Sequence, residues 1–247
     1  MRFISETTSE GVWERLFVVG DVPGVLWSPA GAAGGSPLVL LGHGGSQHKK
    51  AQGMPERARR YVTHCGFAVA AIDAPGHGDR TPTEEHKRLD ATIREREAAG
   101  EPVYPHIVTK NAMLATVAVP DWQAVLTALQ DADPVIATGP VGYWGLSMGT
   151  ALGLPFVAAD SRITAAVFGL AGQETLAEAA ARITIPVEFV LQWDDELVPR
   201  DSGLALFDAL GSNEKTLHAN PGRHIEVPAF ELESSERFFT RHLLGHK

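Results

Sequence analysis

The sequence is poor in the residues that staple, export or anchor a chain. Cysteine is nearly missing: Cys65 stands alone among 247 residues. That excludes an intrachain disulfide and a multi-cysteine zinc site, and it suits a reducing compartment. An excess of positive charge is missing too. The 21 Lys and Arg set against 30 Asp and Glu leave a net charge of −9, the wrong sign for a polyanion partner, so no nucleic-acid binding is expected. The local cluster Lys49, Lys50, Arg57, Arg59 and Arg60 reads as a solvated helix face. The opening residues MRFISETTSEG lack the roughly 7–15-residue apolar core of a signal peptide. No apolar run approaches the ~18–20 residues of a membrane span. The expectation is a cytoplasmic protein with no membrane contact.

What is present is rhythm. Short apolar runs at Pro37–Gly42, Phe67–Asp73, Val141–Gly145, Thr164–Leu170, Pro186–Trp193 and Glu214–Ala219 read as strands. Helical patterns separate or follow them at Met54–Cys65, Asp121–Gln130, Met148–Ala159, Glu174–Arg182, Ser202–Leu210 and Phe230–Leu244. Strands alternating with helices imply a mostly parallel, doubly wound α/β sheet, and the lack of apolar–polar alternation means that both faces are covered. Before Gly35, two strand-like runs around GDVPG suit an antiparallel edge hairpin, and Ser28–Pro37 reads as a short flexible loop. The whole of 1–247 is expected to be one domain of this class. One segment breaks the rhythm: residues 76–120 sit between a strand and its helix and carry a charged helix of their own. So long a connection predicts a functional insertion, a helical cap over the site.

In such sheets, sites form at the carboxyl ends of strands. YWGLSMGTALG (Tyr143–Gly153) lies at one. Its G-x-S-x-G is weak alone, since this composition would yield the pattern by chance about one time in nine. Context adds weight. A serine held clear of the backbone needs a sharp strand-to-helix turn, and Gly145 and Gly149 remove the Cβ atoms that would collide there. A serine hydroxyl also needs a base, and the base an orienting acid. Asp194 and Asp195 follow a later strand, and His224 follows the last, in the order that such a site requires.

With LLGHGGS, DAPGHGDR, GLSMG, DDELVP and GRH in this order, the chain resembles the α/β-hydrolase superfamily from about Leu38 onward. It is most similar to small esterases of the dienelactone-hydrolase-like and serine-peptidase-like kind. Dienelactone hydrolases carry cysteine at the elbow, where this chain has Ser147. The resemblance implies Ser147 as nucleophile, His224 as base and then acid, and Asp195, which precedes x-x-V-P, as the orienting acid with Asp194 as rival. It implies an oxyanion hole from the amides of Met148 and Gly45. The expected activity is hydrolysis of small to medium carboxylic esters through an acyl-enzyme. Thioester, lactone or amide cleavage, acyl transfer, and a non-catalytic receptor on the same scaffold are the alternatives. No cofactor and no metal are expected; the partner is a small-molecule ester, with a homodimer left open.

The remaining candidates have structural readings. His43 and His77 read as loop residues, and with His48 they match no dedicated metal-ligand spacing. Cys65 reads as inert core, Trp144 as sheet packing, and Met148 as lining for the acyl pocket. Trp193, beside the acid loop, fits either role.

Overall fold

The apolar runs do form strands, because a parallel strand covered on both faces has no use for side chains that need water. The computed structural model describes residues 1–32, 34–136 and 139–245; Ala33, in the loop expected over 28–37, lies outside them. The strands are β1 (Arg2–Ser9), β2 (Val12–Val19), β3 (Val22–Pro29), β4 (Leu38–Gly42), β5 (Ala68–Ile72), β6 (Val141–Gly145), β7 (Ile163–Gly169), β8 (Val187–Gln192) and β9 (Lys215–Asn220). They make one sheet in the order β1-β2-β3-β5-β4-β6-β7-β8-β9. Pairing is antiparallel from β1 to β5 and parallel from β5 to β9.

Helices α1 (Met54–Cys65), α2 (Glu84–Ala98), α3 (Tyr104–Ala132), α4 (Met148–Ala159), α5 (Ala177–Ala181), α6 (Arg200–Ala209) and α7 (Phe230–Leu244) complete the chain. One face of the sheet packs α3, α4, α5 and α6 around Trp122, Tyr143, Phe156 and Phe168. The other packs α1 and α7 around Trp27, Tyr61, Phe67 and Phe239. Both faces are thus closed by helices, as a doubly wound sheet requires.

Three features depart from expectation. The N-terminal hairpin is real, but a further strand, β1, precedes it. Its eight residues are all exposed, so no apolar face marks it in the sequence; it is held by backbone pairing to β2. Next, the helix expected over Asp121–Gln130 is the second half of the 29-residue α3. Pro120 looks like a stop in the sequence, yet the helix runs through it, and its apolar neighbours pack on both sides. The segment expected to be inserted over 76–120 therefore has no break at its end. α3 is also long and apolar enough to cross a membrane, by length and composition alone, with 33% of its most apolar window buried. Finally, the basic cluster is a solvated face only in part, at Lys50, Arg59 and Arg60. Lys49 is buried, its ammonium 2.7 Å from Asp73 and 2.6 Å from Asp79. Arg57 lies over the Trp144 ring at 3.9 Å, and Arg60 pairs with Glu236 at 2.6 Å.

Candidate active site

The strand-to-helix turn after β6 is built from close approaches. A Cβ at Gly149 would strike the Gly42 carbonyl, and one at Gly153 would enter the Tyr143 ring, so these glycines let α4 press onto β4 and β6. Between strand and helix, Ser147 adopts φ 56° and ψ −120°, a region that costs a non-glycine residue about 1–3 kcal/mol and persists only when its surroundings enforce it. The surroundings are visible. The Ser147 N–H donates to the Gly169 carbonyl at 3.0 Å. The Thr150 hydroxyl lies 2.7 Å from the Gly145 carbonyl and 2.6 Å from that of Gly169, and accepts from the Gly169 N–H at 2.8 Å.

The structure brings Ser147, His224 and Asp195 together. His224 Nε2 is 2.9 Å from Ser147 Oγ, and its Nδ1 is 2.7 Å from Asp195 Oδ2. Both partners of that pair are nearly closed to water, with side chains 9% and 4% exposed. Burial alone would raise the Asp195 carboxyl. The His224 hydrogen bond, the Val198 and Leu197 N–H groups at 2.9 and 2.8 Å, and the His224 charge outweigh it and hold the group below the usual carboxylate range. Asp194 turns away: its side chain is 64% exposed and accepts from the Gly222 N–H at 3.4 Å. Two adjacent acids at a strand end thus separate, one into the site and one into the loop.

Around Ser147 lies a cavity of about 50 Å³. α3 contributes Tyr104, Ile107 and Val108 to its wall, and Leu176, Leu197 and Val198 face them. Met148 does not line it: the side chain is buried with Ala74, Leu114, Ala118 and Leu152 beneath α3. The backbone N–H of Met148 opens the first turn of α4, where amides have no intrahelical acceptor. Gly45 stands exposed with open space around it, next to Ser46 at φ 58°.

His43 is 3% exposed, and its Nε2 accepts the Ala74 N–H at 3.0 Å. That bond places the ring proton on Nδ1, which donates to the Gly44 carbonyl at 2.9 Å. Burial drives this imidazole down to about 4, so it is neutral and ties the loop after β4 to the end of β5. His77 is also pushed down, chiefly by burial, and its Nδ1 lies 2.9 Å from the Pro75 carbonyl. Burial raises the Cys65 thiol. Trp193 is 45% exposed and lies beneath the Arg200 guanidinium at 4.2 Å.

Two contributors were not legible in the sequence. Glu196 accepts the backbone N–H of His224 at 2.9 Å, steadying the loop that carries the histidine; the acidic run DDE held the signal, without a way to rank its third member. Glu174 accepts from Tyr104 and Ser202, each at 2.6 Å, tying α3 to the β7 loop beside the cavity.

Across 98% of this chain and 100% of the other, the structure is similar to a PEG-bound complex of a cold-adapted esterase from an Arctic intertidal metagenomic library, with a TM-score of 0.77 and 38% identity. It shares its fold with an acetyl xylan esterase from Paenibacillus sp. R4, at 16% identity and TM-score 0.65 over 98% of this chain and 88% of that one. The same holds for a dienelactone hydrolase from Anabaena variabilis ATCC 29413, at 19% and 0.67 over 95% and 100%. No protein-family model and no curated protein matches the chain.

Proposed function

Since the chain belongs to the α/β-hydrolase superfamily, among its esterases, we propose that it cleaves carboxylic esters through an acyl-enzyme formed on Ser147. The observation that carries this reading is one line of contacts: Asp195 to His224 at 2.7 Å and His224 to Ser147 at 2.9 Å, with the serine on a strained turn. His224 Nε2 takes the hydroxyl proton as Oγ attacks the ester carbonyl. The tetrahedral oxyanion rests on the N–H groups of Met148 and Gly45, and each such donor is worth about 10²–10³ in rate. His224 returns the proton to the departing alcohol. Water, deprotonated by the same nitrogen, then releases the acid. Asp195 holds Nδ1–H and stabilises the imidazolium; it keeps its own charge throughout. No step of this cycle calls for a cofactor.

The segment from α2 through the first half of α3 acts as the cap. Its support is the placement of Tyr104, Ile107 and Val108 against the cavity at Ser147. The test of the whole reading is pre-steady-state hydrolysis of p-nitrophenyl acetate. A burst of one p-nitrophenol per chain is expected, and Ser147→Ala should abolish both burst and turnover. Full turnover by that variant would sink the assignment.

A further inference from the structure

A second histidine cluster lies one strand register behind His224 and takes no part in the chemistry above. Glu188 on β8 sits opposite Thr216, and Val190 opposite His218, so Glu188 and His218 share the face of the sheet that α7 covers. Glu231, in the first turn of α7, comes down onto the same spot. Its Oε2 is 2.8 Å from His218 Nδ1, and its Oε1 accepts from Asn220 at 2.8 Å. The other ring nitrogen, Nε2, looks toward Glu188 Oε2 at 3.8 Å.

The electrostatics of this cluster are not closed. Glu188 and Glu231 are each 4% exposed, and one half-buried imidazole stands between them. Two buried carboxylates share one histidine, and the Arg237 guanidinium acts on Glu188 only through space, without a direct ion pair. Glu188 Oε2 accepts only from Ser234, at 2.9 Å, and Oε1 is buried with no partner at all. Among the described residues, no Lys or Arg pairs with Glu188 or Glu231. Solvent reaches the spot along a groove whose lining includes Glu188, Ser234 and Glu214 together with Arg237, Arg241 and His242.

We propose that Glu188 and His218 Nε2 bind a divalent transition-metal cation, with water completing its coordination and Glu231 fixing the ring from behind through Nδ1–H. One ligand atom from each of the three residues lies within 4.8 Å of the others. Tetrahedral coordination at ~2.0–2.1 Å needs ligand atoms about 3.3 Å apart, a closure within reach of glutamate side-chain rotation. The nitrogen-and-carboxylate donor set suits Zn²⁺ better than Ca²⁺ or Mg²⁺, which prefer all-oxygen sites. Glu231 accepting from Nδ1–H is the arrangement by which metal-bound histidines are held in the right tautomer. The ion gives Glu188 Oε1 the partner that it lacks. Its effect would reach the catalytic loop through Glu231 and Asn220, since Asn220 is the last residue before the turn to His224.

Isothermal titration of chelator-treated protein with ZnCl₂, beside CaCl₂ and MgCl₂, tests this. One Zn²⁺ per chain is expected, with weaker or no binding of the other two and a rise in melting temperature. Affinity should fall as pH drops, because coordination needs the deprotonated ligands. His218→Gln and Glu188→Gln should each weaken Zn²⁺ at least tenfold, and Glu231→Gln roughly 10–100-fold by loosening the ring. Anomalous diffraction from a Zn²⁺-soaked crystal should place the ion between His218 Nε2 and Glu188, whether or not any variant folds. No uptake, uptake that survives His218→Gln, or an ion found only at surface histidines overturns the site. The cluster is then a proton-sharing network, with Glu188 neutral.

Discussion

Two histidines near the end of the same strand, His218 and His224, each hold a glutamate or aspartate at hydrogen-bond distance, 2.8 and 2.7 Å. They are built for different work. At His224 one acid serves one ring, and both oxygens of Asp195 are used, Oδ2 by the imidazole and Oδ1 by two amides. The far nitrogen is therefore left with a single task, facing a hydroxyl. At His218 two acids share one ring and one oxygen has no partner. Proximity of histidine and carboxylate does not define a function; the saturation of the carboxylate and the group beyond the ring do.

The contrast can be broken most severely at the acid. Asp195→Asn should lower kcat about 10⁴-fold by favouring the wrong tautomer of His224, while Asp194→Asn stays within a few-fold. Steady-state kinetics on p-nitrophenyl acetate decides, and the reverse result would exchange the two roles. A third histidine extends the comparison. His43 is held neutral at about 4, below its unfolded value near 6.5. Between those values the unfolded chain binds the extra proton, so stability rises with pH across the window and is level above it. Urea melts at pH 4 and 7.5 should show about 3 kcal/mol more loss in the wild type than in His43→Gln. Equal slopes would mean that the ring is protonated in the folded state.

A smaller effect is expected at the brace of the turn. Thr150→Val keeps the shape but leaves the Gly169 N–H without its acceptor, at about 1–3 kcal/mol. A loss of kcat should accompany the drop in melting temperature if the brace holds Ser147 in its strained conformation; unchanged kcat would assign the strain to the glycine contacts. Smallest of all, Glu196→Gln should change kcat/KM by a few-fold at most, because the side chain is exposed and steadies the His224 loop from outside.

The sheet was legible because β4 to β8 are continuous apolar runs, and Ser147 and His224 because each falls just past a strand end. Elsewhere the signal was missing for physical reasons. β1 has no buried face, so periodicity could not find it. Pro120 reads as a stop because it removes an N–H and crowds the preceding turn, but packing on both sides carried the helix through. Glu188 is one polar residue in a buried strand, and its partners lie 30 and 43 positions away in sequence, so no local pattern marks the cluster. Chain order cannot say which way a loop turns its side chains, so it does not separate Asp194 from Asp195.

The unbroken helix α3 has a mechanical meaning. At 1.5 Å per residue its 29 residues make a rod about 44 Å long. One end is clamped in the core by Trp122, Val125, Leu126 and Leu129, and the other end carries Tyr104, Ile107 and Val108 over Ser147. The tip is also fastened, by the Tyr104 hydroxyl to Glu174 at 2.6 Å. No loop separates the two ends, although Pro120 removes one backbone donor between them. Substitutions at Ile107 or Val108 would therefore alter the cavity wall at a distance from the core residues that anchor the same helix.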